Sequence, residues 1–166
     1  MRTRTLLPAI AVALALSGPT ALAGPFTLGL SGGLAVQAVC DATGSCPTTN
    51  GWTAGVSLGL QPETPNIISG GLLLNAKLVN VNSASEVQAT LSPVVVLGPR
   101  TLNAYVGPSV GFAFSGSPRL LIGALAGAQF AFGNFGLFAE LQVLDDTAQP
   151  NVTLAGTGSF GVRLRF

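Results

Sequence analysis

From Phe26 onward the chain keeps one rhythm, an apolar side chain followed by a small or polar one. A period of two sends successive side chains to opposite faces of a β-strand. In the first run, FTLGLSGGLAVQAV, Phe26, Leu28, Leu30, Leu34 and Val36 share one face, and Thr27, Gly29, Ser31, Gly33 and Gln37 the other. The rhythm returns in GWTAGVSLGL (51–60) and then over 68–79, 86–97, 101–114, 120–132, 135–144 and from Val152 to Phe166. The pattern therefore predicts eight strands. Turn-forming stretches separate them: CDATGSCPTTN, QPETPN, NVNSASE, GPR, SGSPR, GN and DDTAQPN. Gly133-Asn134 suits a two-residue hairpin turn, and Asp145 and Asp146 are expected in the last of these loops. No helix-period segment lies between the runs to carry a crossover, so neighbours must run antiparallel, as an up-and-down meander.

Composition decides what each face meets. Charged residues make up 8% of the chain, against about 25% in an ordinary soluble domain. In a soluble barrel the polar face would meet water and carry many Lys and Glu, but here it is mainly Gly, Ser, Thr, Asn and Gln. Small polar residues suit a narrow interior, and about eight strands leave a lumen that side chains just fill. The apolar face then points outward to lipid. Each run is long enough for a tilted crossing, which takes about 9–11 residues. An even number of strands closes the sheet and leaves no open edge in hydrocarbon. The expected fold is all-β, an eight-stranded antiparallel up-and-down transmembrane β-barrel.

Aromatic residues give an independent check. Starting the first strand on the periplasmic side is expected to put both termini and the three shortest links there. Phe26, Phe130, Phe132, Phe135, Phe160 and Phe166 are then expected at the inner rim, with Trp52, Phe112 and Phe114 at the outer rim. Such a pair of girdles is the mark of a membrane barrel.

The first residues follow a different rule. MRTRT is basic, LLPAIAVALAL is a short apolar run, and Ala21-Leu22-Ala23 offers small residues at a cleavage position. Residues 1–23 read as a signal peptide, too short in apolar length to span a bilayer, and 24–166 as the barrel domain. That domain keeps Lys77, Arg100, Arg119, Arg163 and Arg165 against Asp41, Glu63, Glu86, Glu140, Asp145 and Asp146, a formal charge of −1. It has no basic patch for nucleic acid. Cys40 and Cys46 bracket a short polar stretch, and in an exported protein they are expected to form a disulfide worth about 2 kcal/mol. The chain has no His and no third Cys to complete a metal shell, so no metal or cofactor is expected.

By parity Lys77, Glu140, Arg163 and Arg165 point into the lumen, where an isolated charge is costly. Glu140 and Arg163 fall at similar depth on adjacent strands and are expected to pair. Two readings stay open, a packed polar plug and a charged constriction of a small pore. Leu73, Leu121, Leu125 and Phe138 also point inward, either filling space or lining an apolar path. Serines are plentiful but have no His to activate them, so no catalytic residue is assigned. The Asn151-Val152-Thr153 sequon reads as a chance match, and GALAG at 123–127 as relief of crowding in the lumen, not a phosphate loop. Pro93 and Pro108 interrupt the fourth and fifth runs near one another, so a bulge, a locally broken pairing or else a register different from the simple hairpin count is expected.

The whole of 24–166 resembles the small eight-stranded bacterial outer-membrane barrels, of the OmpA transmembrane-domain, OmpX and OmpW types. The closing strand, with Phe160, Val162, Leu164 and the final Phe166 on one face, carries the resemblance best. In that family such a strand is the signal read by the barrel-assembly machinery. The resemblance implies location in the outer membrane, with lipid and the assembly machinery as partners; it sets no oligomeric state. The outer loops are short compared with adhesive relatives, and no peptidoglycan-binding domain is expected after the barrel. Enzymatic barrels of this architecture use His beside Ser, which this chain lacks. OmpW-like relatives imply a further possibility, passage of small hydrophobic molecules through the lumen.

Overall fold

A computed structural model describes residues 26–40, 45–61, 68–147 and 153–166. Residues 1–23, expected to be a leader, and the sequon asparagine lie outside the described residues. Eight strands follow in chain order: β1 Phe26–Val39, β2 Thr48–Leu60, β3 Ile68–Val81, β4 Ala84–Leu97, β5 Leu102–Phe114, β6 Pro118–Phe132, β7 Phe135–Asp146 and β8 Thr153–Arg165. Each pairs antiparallel with its sequence neighbour, and β1 also pairs with β8, so the sheet closes into a barrel. Leu28 lies opposite Leu164 and Leu30 opposite Val162 across that closure.

Alternation becomes two surfaces. On β7, Leu137, Leu141 and Val143 are exposed on the outside, while Phe138, Glu140, Gln142 and Leu144 are buried within. The same parity runs round the barrel, with Leu30, Leu72, Leu91, Val110, Ile122 and Val162 outside and Thr53, Asn75, Thr90, Ser109, Gln129 and Ser159 inside. This inverts a soluble protein, in which the apolar side chains go in.

Several strands run past their expected ends. The stretch NVNSASE is not a loop: β3 and β4 meet at a two-residue turn, Asn82-Ser83, with φ of 52° and 64°. Two successive left-handed residues match the twist of a tight hairpin, and Asn tolerates that region better than most residues. Asp145 and Asp146 likewise belong to β7, not to a loop, because β6 starts at Pro118 and its Leu121 and Ile122 supply partners for them. The three shortest links do not share one end. The 133–134 turn lies at the end that holds the described chain terminus, and 82–83 and 115–117 lie at the opposite end.

The two prolines leave a gap and no bulge. Leu91 pairs with Val110 and Val95 with Val106 in one unbroken register, which sets Pro93 directly opposite Pro108 with the ladder open between. Their pairings on the other side, Pro93 with Leu72 and Pro108 with Ala124, are intact. The two missing N–H groups therefore face each other across β4–β5, so a single pair site absorbs both losses. Inside the barrel, Ser92 Oγ and Ser109 Oγ lie 2.6 Å apart and join the two strands beside the gap. Replacing both prolines, as Pro93→Val with Pro108→Val, should close the ladder. The expected result is slow hydrogen exchange at the new amides of positions 93 and 108, and a urea midpoint raised by the equivalent of about 1–2 kcal/mol.

Candidate functional site

The lumen holds two side-chain networks and a cup. The first is built around Arg163 on β8, which is flanked in the ladder by Gly29 on β1 and Gly136 on β7. With no side chain on either neighbour, the long guanidinium arm can lie across the interior. Arg163 Nη2 donates to Glu140 Oε2 at 2.9 Å, and Nη1 donates to Gln129 Oε1 at 2.9 Å. Tyr105 donates its hydroxyl to the same Glu140 oxygen at 2.8 Å. The guanidinium carbon lies 4.2 Å from the centre of the Phe138 ring and 5.6 Å from that of Tyr105, so two aromatic faces enclose the cation. Gly127 makes room for the Tyr105 ring, because a Cβ there would fall 2.5 Å from it. Four strands thus meet in one buried ion pair.

A second network surrounds Lys77 on β3. Its ammonium donates to Gln142 Oε1 at 3.1 Å and Thr157 Oγ1 at 3.2 Å. Gln142 Nε2 donates onward to Thr90 Oγ1 at 3.1 Å and Ser109 Oγ at 3.4 Å, which reaches the Ser92–Ser109 contact. The chain of bonds ties β3, β4, β5, β7 and β8 together. The inward apolar residues do not form one path. Leu73 and Leu125 cluster with Val94, Val96 and Tyr105, whereas Leu121 clusters with Ala113 and Leu144. Phe138 is taken up by Arg163.

The third feature lies at the end away from the described terminus. Arg119, at the start of β6, bridges Glu86 on β4 and Asp146 on β7 and donates to Ser115 Oγ at 3.2 Å. Beside it opens a cup of about 200 Å³ lined by Ala35, Val79, Glu86, Gln88, Arg119 and Thr157, in which Val79 pairs with Glu86 and Ala35 with Thr157 across neighbouring strands. Sequence reasoning assigned Arg119, Asp146 and Tyr105 no role in the lumen. Arg119 was readable by parity, since it stands two residues before inward-facing Leu121. Asp146 was hidden by the loop expectation.

The remaining sequence-selected residues are placed as follows. Arg165 lies opposite Thr27 near the end of β8 and is half-buried, at the rim of the barrel and not in either central network. Phe26, Phe130, Phe132, Phe135 and Phe166 are exposed near that same end, with Phe130–Phe132 and Phe132–Phe135 ring centres 6.1 and 6.4 Å apart. Phe112 and Phe114, 6.4 Å apart, and Trp52 lie toward the opposite end. Phe160 does not sit at the rim. It pairs with Gly32 and Ala139 in mid-strand and is 72% exposed on the outer face, about 20 Å of strand from Phe166 at ~3.3 Å per residue. Val162 and Phe166 share its outward face, and Leu164 is half-buried there. Cys40 and Cys46 form a disulfide with an S–S distance of 2.12 Å, closing the link between β1 and β2. Among the described residues, no group of three or more His, Cys, Asp or Glu is placed to hold a metal ion.

Solved structures share this architecture. Neisserial surface protein A superposes with a TM-score of 0.60 at 16% identity, over 87% of this chain and 99% of that one. The outer membrane enzyme PagL superposes with a TM-score of 0.50 at 15% identity, over 80% of this chain and 99% of that one. The fold is that of the small bacterial outer-membrane barrels. No family model matches the chain, and no curated protein matches it.

Arg163→Met should leave the Glu140 carboxylate buried with Tyr105 as its remaining donor, at a cost of about 3–5 kcal/mol in urea unfolding. Adding Glu140→Gln to that variant should recover most of the loss. Gly127→Ala should cost about 1–3 kcal/mol by driving a methyl into the Tyr105 ring. Tyr105→Phe should not relieve it, since ring carbons make the clash, whereas Tyr105→Leu should do so in part.

Proposed function

We propose that this chain is an integral outer-membrane barrel whose lumen is plugged and whose role is structural, stiffening the membrane it spans. The observation that carries this reading is the pair of networks across the interior, Arg163–Glu140–Tyr105–Gln129 and Lys77–Gln142–Thr157. Support for the membrane comes from the outer surface, where Leu, Val, Ile and Phe residues are exposed on every strand. An apolar belt of that extent is not tolerated by a soluble monomer. Location follows from the leader, residues 1–23, which directs export and is removed, and from the closing strand, whose Phe160, Val162, Leu164 and Phe166 address the assembly machinery. The role is not catalytic, because the chain has no His and the inward carboxylate Glu140 is committed to Arg163 and Tyr105.

A narrow pore is the second reading, and one observation favours it. Thr53 Oγ1, Ser57 Oγ, Asn75 Nδ2 and Ser159 Oγ are buried without a partner among the described residues, and a file of water would satisfy them. Planar-bilayer conductance separates the two. Detergent-folded protein, first checked for a heat-dependent shift in gel migration, should give a silent membrane. Steady single-channel openings would contradict the plug and select the pore.

A further inference from the structure

We infer that the cup at the Arg119 end is a binding site for a small primary ammonium compound with an apolar body. The inference rests on the plugged lumen only in making the cup blind; the recognition chemistry is local. The cup holds about 200 Å³, enough for a single-ring amine. Ala35 and Val79 give it apolar lining, and Glu86 and Gln88 give it polar lining.

Gln88 defines the ligand. Its Nε2 donates to Glu86 Oε1 at 2.6 Å. The opposite rotation of the amide would set oxygen against carboxylate, so this orientation is fixed. Gln88 Oε1 is then left buried with no donor among the described residues, on a side chain only 2% exposed that lines the cup. A buried acceptor without a donor is costly, and a ligand N–H removes that cost.

Charge sets the sign. Glu86 and Asp146 set two carboxylates against the one guanidinium of Arg119, and of the two Glu86 lines the cup. Arg119 already donates from Nη1 to Asp146 and from Nη2 to Glu86 and Ser115, so it has little left to offer an anion. Lys77 donates to Thr157, which lines the cup, and repels a second cation from that side. The ammonium therefore stays beside Glu86 and Gln88, with the apolar body against Ala35 and Val79. Selectivity for a primary amine follows because a quaternary one carries charge but cannot donate to Gln88.

Benzylamine is a suitable probe, with benzyl alcohol, benzyltrimethylammonium and benzoate as comparators of similar size. Methyl-labelled protein folded in detergent would be titrated while following the Val79 methyl resonances. Benzylamine should shift them saturably, with an affinity at least about ten-fold above each comparator. Glu86→Gln and Gln88→Met should each weaken benzylamine by about ten-fold while the gel shift of the folded barrel is kept. Two variants are used because Glu86→Gln also removes a partner of Arg119, whereas Gln88→Met keeps both of its carboxylates. Equal binding of benzyl alcohol, stronger binding of benzoate, unchanged affinity in folded variants, or no saturable shift would each overturn the inference. Release of benzylamine from vesicles containing the barrel would overturn the plug instead, and would leave saturable binding at Val79 standing.

Discussion

Closure of the hydrogen-bond ladder is the constraint on which the rest of this structure depends. A strand in hydrocarbon has no water to satisfy its N–H and C=O groups, so a sheet edge there is costly and only a closed ring avoids it. The β1–β8 pairing supplies that closure, with Thr27 opposite Arg165 at one end and Val39 opposite Thr153 at the other. The one described interruption, at Pro93 and Pro108, shows how tightly the constraint binds. Both missing donors are spent at a single site facing each other, and the serines beside them restore a link on the inner side. Had the prolines fallen on different pairs, two sites would be open to lipid instead of one.

Closing at eight strands then fixes the width of the interior, and the width explains the glycines. Large inward side chains fit only where a neighbour gives up its own. Arg163 lies between Gly29 and Gly136, the Tyr105 ring covers Gly127, and Lys77 has Gly55 beside it in the ladder. Each glycine weakens its strand slightly and lets a large residue reach a strand beyond its ladder neighbours. The buried charges that result are not a large source of stability, since desolvation offsets most of the attraction. What the networks do is tie non-adjacent strands together, β3 to β7 and β8 through Lys77, and β5 to β7 through Tyr105. A ring held only by its ladder could shear; cross-lumen bonds oppose that.

The strand pattern was legible because period-two alternation is a local property and no interior helix competes with it. Strand number and antiparallel order followed from that, and the scarcity of charge then fixed the facing that sends Glu140 and Arg163 inward. What was not legible depended on how far pairing extends. Asp145 and Asp146 read as loop because they open DDTAQPN, a stretch with turn chemistry, yet β6 begins early enough to hold them in strand. Phe160 was placed at the rim because rim aromatics are common, and only register reveals that it stands opposite Gly32 in mid-strand. Tyr105 falls on the polar face of its run by parity, like its small neighbours. Its role needs the depth of Glu140 two strands away, which no count along the chain provides. The cup was invisible for the same reason, since Gln88, Arg119 and Thr157 come from three separate strands.

The account turns on which face meets lipid, and nitroxide labels stepped along β7 test it most directly. With the folded protein in lipid vesicles, labels at positions 137, 139, 141 and 143 should collide readily with dissolved oxygen and hardly at all with a water-soluble nickel reagent. Labels at 136, 138, 140, 142 and 144 should be shielded from oxygen. A two-residue oscillation of that phase is the predicted result. A flat profile, or an oscillation of opposite phase with the odd positions shielded, would contradict the account.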